Sequence, residues 1–124
     1  MKFAIAIAAC ALLATPAIAQ DAEAIAAAAL EAAPVWDGHN DVPYQLRGRF
    51  SNMIGDFDFA DTGDTGGEDG NAMHTDFARL EQGRVGAQFW SVYVSASLPE
   101  PEAVQATLEQ IDVTKRLIAR YPGQ

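Results

Sequence analysis

The segment from Val85 to Val94 constrains the fold of this chain more than any other. Its centre, Gln88-Phe-Trp-Ser-Val-Tyr93, carries apolar side chains on both faces, which is typical of strands that are covered on both sides in a parallel sheet. A helix is predicted next, beginning around Pro99-Glu-Pro-Glu102 and ending at Pro122-Gly123. A strand followed by an amphipathic helix is half of a parallel β-α-β crossover. The sequence therefore predicts an α/β fold.

The same patterns predict which side chains are buried. A stripe at helical spacing marks one face of the last helix as its core face, and it consists of Val104, Leu108, Ile111 and Ile118. Aromatic side chains near strong strands are usually core residues, here Trp36, Phe89, Trp90 and Tyr93. Asp76 is predicted to cap a short helix that runs through Leu80 and stops at Gly83. Arg79 and Arg84, which flank this helix, are interpreted as surface charges.

The N-terminus is typical of an export signal. Lys2 precedes a short apolar segment, Phe3 to Leu13, and Ala17-Ile-Ala19 is a small-x-small cleavage site. Eleven apolar residues are too few to span a bilayer, which needs roughly 20. We expect a signal peptide over residues 1–19, an Ala-rich helix over 20–33, one domain over 34–124, and export to a bacterial periplasm or the medium. Lipid attachment at Cys10 is an alternative that leaves almost no apolar segment ahead of the cysteine.

Charge and cysteine content exclude several classes of function. The chain has 8 basic and 17 acidic residues and a formal net charge of −9, whereas nucleic-acid binding needs clustered Lys and Arg to neutralise phosphates. An anionic membrane surface is disfavoured for the same reason. Cys10 is the single cysteine, so an intrachain disulfide and a multi-cysteine zinc site are both excluded.

A long acidic segment lies between the two halves of the predicted domain. Phe50 to Met73 is rich in Gly, Asp and Thr and lacks apolar periodicity, which predicts a loop. Its most acidic part, Asp56 to Gly70, invites comparison with calcium-binding loops, but the D-x-[DN]-x-[DN]-G pattern is absent. A solvated acidic loop is the simpler interpretation, and its length indicates either a functional loop or an insertion.

The residues with the clearest chemistry are His39 and Asp41. They lie two apart, so on an extended backbone their side chains project from the same face. An imidazole nitrogen and a carboxylate oxygen can together bind one divalent metal, typically zinc. The alternative is a polar strand end with hydrogen-bonded side chains. His74 and Asp76 repeat the same spacing, although Asp76 is better explained as a helix cap and His74 as a loop residue.

Four blocks of sequence resemble the membrane (renal) dipeptidase family of metallopeptidases. They are Asp37-Gly-His-Asn-Asp-Val-Pro43, His74-Thr-Asp76, Gly83-Arg-Val-Gly-Ala-Gln-Phe-Trp-Ser-Val-Tyr93 and Ala106-Thr-Leu-Glu-Gln-Ile-Asp112. The blocks occur in the order and spacing of that family, and the resemblance extends from Val35 to Pro122. The acidic loop is variable within it, and the export signal lies outside it.

The resemblance implies a TIM-like (β/α)8 barrel with a two-zinc site that hydrolyses dipeptides. It maps the first-strand zinc ligands of the family onto His39 and Asp41. Such a barrel needs ~250 residues, and the family's bridging glutamate, two further histidines, acid/base residues and substrate-binding residues map beyond Gln124. We therefore expect an N-terminal portion of the barrel, with its first strands and helices only, that is inactive alone. A non-catalytic secreted acidic fragment or interaction module is the alternative, and oligomeric state and dipeptide preference stay open.

Overall fold

The computed structural model describes residues 15–66 and 70–124, and for residues 15–20 it describes the backbone alone. The chain divides into two compact units, Met1–Pro34 and Val35–Gln124. Most of the expected signal peptide, residues 1–14, lies outside the described residues. The first unit contains helix α1, Thr15–Ala32, which starts several residues before the helix predicted from the sequence. Among the described residues, no helix has the length and apolarity needed to cross a membrane.

The second unit contains the predicted parallel sheet. Strand β1, Val35–Asn40, pairs in parallel with strand β2, Val85–Trp90. Register irregularities lie between Val35 and Trp36 and between Asp37 and Asn40. Parallel pairing requires a long crossover connection between the strands, and here that connection carries two helices. The part of the chain that the structure describes is thus a mixed helix–strand unit with a two-stranded parallel sheet, consistent with an incomplete α/β fold.

A helix that the sequence analysis did not predict follows β1 directly. Helix α2, Val42–Phe50, has Asp41 as its N-cap residue and Pro43 in its first turn, where a missing backbone N–H costs nothing. The C-cap residue of α2 is Ser51, which has a left-handed backbone conformation with a φ of 50°. The short helix α3, Phe77–Gln82, begins at the predicted cap Asp76, whose side chain accepts a hydrogen bond from the Arg79 N–H.

The acidic loop supplies a large part of the core, which its lack of periodicity did not indicate. Side chains from the loop, from α2 and from the last helix form one buried cluster of Val42, Leu46, Ile54, Phe57, Phe59, Met73, Val113 and Leu117. The ring of Phe59 is fully buried and stands edge-on to Phe77 and Trp90. Arg120 from the last helix also donates to the carbonyls of Ile54 and Phe57. The loop is therefore folded onto the domain.

Helix α4, Glu100–Arg120, buries the face opposite to the one predicted. The buried residues are Ala106, Gln110, Val113 and Leu117. Of the predicted stripe, Val104, Leu108 and Ile118 are more than half exposed, and Ile111 is half-buried. Both sets follow helical spacing, so periodicity alone could not choose between them. The face of α4 that is buried is the one that packs against α2 and the core residues of the loop.

The prediction that the strand aromatics are core residues was wrong for three of four. Trp36 is 73% exposed, Phe89 is 64% exposed and Tyr93 is 51% exposed. Trp90 packs against the core cluster. Strand β2 ends at Trp90 rather than at the predicted Val94. Trp36 pairs with Ala87, and Phe89 lies two residues after Ala87 on the same strand. Because side chains alternate along a strand, Trp36 and Phe89 project from the same face of the sheet, and among the described residues both are exposed.

Candidate functional site

The imidazole of His39 and the carboxylate of Asp41 meet at the carboxyl end of β1. His39 Nε2 lies 3.2 Å from Asp41 Oδ1, and both side chains are partly exposed. The reason differs from the one expected from the sequence, because Asp41 is not on an extended backbone. It lies one residue past the end of β1 with φ −99° and ψ 28°, so the turn into α2, rather than strand alternation, brings the carboxylate to the imidazole.

The Asp41 oxygen nearest His39 is shielded from solvent, and within the described residues it accepts no hydrogen bond. A buried carboxylate oxygen that accepts no hydrogen bond is uncommon in folded proteins, and the ion-pair contact of this oxygen is with His39 Nε2. Two ligand atoms at about 2.1 Å from a tetrahedral zinc ion are about 3.4 Å apart, close to the separation of these two atoms. The chemistry and the spacing of the two side chains therefore fit a shared divalent metal.

A chain of hydrogen bonds from β2 supports the backbone at His39. The N–H of His39 donates to Asp37 Oδ1, and Gln88 Nε2 donates to Asp37 Oδ2 at 2.7 Å. Trp90 Nε1 donates in turn to Gln88 Oε1. The donors from His39 and Gln88 stabilise the charged form of Asp37 and hold its pKa below the usual value.

A cleft of about 690 Å³ contains this pair. Its walls come from the end of β1, the start of α2 and the segment Asn71–Thr75, and its lining includes His39, Asp41, Gln45, Arg49 and His74. His74 lies in the loop ahead of α3, as predicted, yet it lines the same cleft as His39. The sequence offered only the repeated His-x-Asp spacing as a hint of this arrangement.

The second carboxylate of the repeated motif serves the fold instead of the cleft. The side chain of Asp76 is almost fully buried, and its Oδ2 accepts from Arg79 Nε, from Arg79 Nη2 and from the backbone N–H of Thr62. These donors lower the pKa of Asp76 far below the usual range, with the Arg79 guanidinium as the main cause. Arg79 is exposed, as interpreted from the sequence, but its guanidinium is also the partner of a buried carboxylate, which the sequence did not indicate.

No third metal ligand joins His39 and Asp41 within residues 15–66 and 70–124. No group of three or more His, Cys, Asp or Glu side chains in those ranges is placed to hold a metal ion. A second cavity, of about 720 Å³, lies between β2, α3 and α4, and Glu81 is the one Asp or Glu side chain among its described lining residues. Its walls are mainly apolar, so the chemistry of the domain is concentrated in the cleft at His39.

The sequence is similar to that of known dipeptidases. Residues 23–124 match the family model described as membrane dipeptidase (peptidase family M19). The chain is 40% identical over 89 residues to Dipeptidase 3 of Mus musculus, an alignment that covers 72% of this chain and 16% of the relative. For Dipeptidase 3 of Rattus norvegicus the identity is also 40% over 89 residues, covering 72% and 17% of the two chains.

The family match extends over most of the sequence, including both strands and all three helices of the second unit. The aligned segment is about a sixth of the length of the curated relatives. Both His-x-Asp motifs and the strand Val85–Trp90 fall inside the matched range. The resemblance noted from the sequence is thereby confirmed, and the chain belongs to the membrane dipeptidase family.

Proposed function

We propose that this chain supplies two ligands, His39 and Asp41, to a zinc site of a metallohydrolase that cleaves dipeptides. The observation that carries the proposal is the 3.2 Å approach of His39 Nε2 to a shielded Asp41 oxygen. Neutral imidazole and carboxylate are a ligand pair that zinc accepts. Family membership supports dipeptides as the substrate class.

The location of the pair supports a catalytic role. It lies at the carboxyl end of a strand in a parallel sheet, where the active sites of α/β barrels are built. We propose the complete fold to be a TIM-like (β/α)8 barrel in which β1 and β2 are neighbouring strands. A cleft of about 690 Å³ falls within the usual range of small-molecule sites and has room for a dipeptide.

The residues present indicate which role each group would have in the reaction. A zinc ion bound here would supply Lewis acidity toward the scissile carbonyl and toward water. His39 and Asp41 would hold that ion, and the Asp37–Gln88 contact would hold the backbone at His39. Two protein ligands fall short of the three that catalytic zinc sites use, so we propose that the 124 residues alone bind zinc weakly and do not hydrolyse dipeptides.

Paramagnetic NMR tests the ligand assignment in the full chain, which contains only two histidines. We expect Co²⁺, used as a zinc substitute, to shift the ring protons of His39 strongly and to leave those of His74 much less affected. His39→Ala should abolish the specific shift. In a dipeptidase-active protein that contains this segment, the same substitution should remove most turnover.

His74→Ala is the matched control, because His74 lines the same cleft and repeats the same motif spacing. We expect this variant to keep the Co²⁺ response of the His39 ring. An equal loss of Co²⁺ binding in both variants would contradict the assignment of His39 and Asp41 as the ligand pair.

We also propose that the chain is exported and that a signal peptide is removed after Ala19. The short apolar segment, the single lysine ahead of it and the Ala17-Ile-Ala19 site support this proposal.

A further inference from the structure

We propose that Asn40, held by Thr75, is the positioning residue that makes His39 and Asp41 converge; this inference rests on the proposed function. Asn40 lies between the two residues in sequence and at the last position of β1. Asn40 lines the same cleft as the pair, and its Nδ2 donates to Thr75 Oγ1 at 3.0 Å.

The amide of Asn40 is engaged at both ends. While Nδ2 donates to Thr75, Oδ1 accepts the backbone N–H of Val42 at 3.2 Å. This second bond closes a turn around Asp41, the residue between them, and the Asn40 carbonyl accepts from the Ser91 N–H across the sheet. The Asn40 side chain therefore fixes the backbone after Asp41, as in an Asx turn, and the backbone bond from Ser91 fixes the residue before it.

Thr75 is a rigid anchor because it belongs to the buried network of Asp76. Thr75 is 8% exposed, and its carbonyl accepts from Thr62 Oγ1 at 3.1 Å. The backbone N–H of Thr62 donates to Asp76 Oδ2 at 3.0 Å, and Thr62 Oγ1 accepts from Arg79 Nη2. A continuous set of hydrogen bonds thus runs from the Asp76–Arg79 ion pair to Asn40.

This arrangement gives the repeated His-x-Asp motif a role. All three residues of the first motif line the cleft, and the side chain of the central residue, Asn40, donates to Thr75 instead of to His39 or Asp41. In the second motif the central Thr75 reaches back to Asn40, and Asp76 anchors it. The two motifs are joined through their middle residues, so the second motif orients the ligands of the first.

The test compares Thr75→Val, which keeps the shape of the side chain but removes the hydroxyl acceptor, with Thr75→Ser, which retains it. We expect Thr75→Val to weaken Co²⁺ binding about tenfold, the lower end of the range for residues that orient metal ligands. The paramagnetic shifts of the His39 ring protons should also change. Thr75→Ser should restore both properties. Thr107→Val is the control, because the Thr107 hydroxyl bonds within α4 to the Ala103 carbonyl.

A second measurement needs no metal. In the metal-free wild-type chain, nuclear Overhauser effects should connect the His39 ring to the Asp41 Hβ protons; Thr75→Val should lose them and Thr75→Ser should keep them. If Thr75→Val retains these effects, the positioning proposal is overturned whatever the metal affinity. If Thr75→Val loses them but wild-type Co²⁺ binding does not depend on His39, the proposed metal site fails while the positioning by Asn40 stands.

Discussion

The guanidinium of Arg79 closes around the carboxylate of Asp76, with Nη2 at 2.6 Å and Nε at 2.9 Å from the same oxygen, Oδ2. The other oxygen of Asp76 caps α3 by accepting the Arg79 N–H. Arg79 Nη2 also donates to the Met73 carbonyl. One ion pair therefore joins the start of α3 to the end of the acidic loop.

Loss of the arginine should destabilise the domain. Arg79→Ala leaves the buried charge of Asp76 without its main partner, and we expect a loss of about 2–3 kcal/mol in the free energy of unfolding. The estimate is below that for a fully buried pair because the Arg79 side chain is 45% exposed. Urea unfolding measures it. The control is Arg116→Ala, which removes an exposed pair with Asp112; an equally large loss there would contradict the special role of Arg79.

The stability of the domain should depend on pH through Asp76. Its pKa is lower in the folded chain, so as the pH falls the unfolded chain binds the proton first. The stabilisation is therefore complete above about pH 5 and declines below about pH 4, near the unfolded pKa of aspartate. Urea unfolding from pH 7 to pH 3 should show a shallower decline for Asp76→Asn than for the wild type. Parallel declines would show that other carboxylates dominate.

Two leucines on α4 test which face of the helix is buried. Leu117 is 1% exposed and Leu108 is 60% exposed. We expect Leu117→Ala to cost about 2–4 kcal/mol of unfolding free energy, because it opens a cavity in the core cluster. Leu108→Ala should cost less than about 0.5 kcal/mol. Urea unfolding compares the two, and the reverse order would restore the face predicted from the apolar stripe.

Export makes a prediction at the N-terminus. Replacing Ala17 and Ala19 with leucine should block cleavage, because the processing site requires small residues at both positions. The uncleaved precursor should stay with the membrane fraction, and N-terminal sequencing of the wild-type product should begin at Gln20. A mature protein beginning at Gln20 from the leucine variant would show that the site is misplaced.

Local chemistry determined several features of this protein. The cap Asp76 and the stop at Gly83 place α3 within two residues of its prediction, since caps act over one helical turn. The parallel strand at Val85 and the helix after Glu100 were also predictable from apolar patterning and an N-terminal proline. The family was recognisable because short blocks such as Asp37–Pro43 are specific in themselves.

Tertiary packing decided the rest, because it depends on partners distant in sequence. α4 has apolar residues on two opposite faces, and only the loop and α2 select the face with Leu117. Phe57 and Phe59 are buried although their loop has no apolar periodicity. A loop residue is buried when it packs on a neighbouring surface, here the core cluster, and this does not require a regular spacing of apolar residues. The two-residue spacing predicted that His39 and Asp41 project from the same face of an extended strand. Their approach arises instead from the turn at Asp41 and from Asn40, whose anchor Thr75 lies 35 residues away.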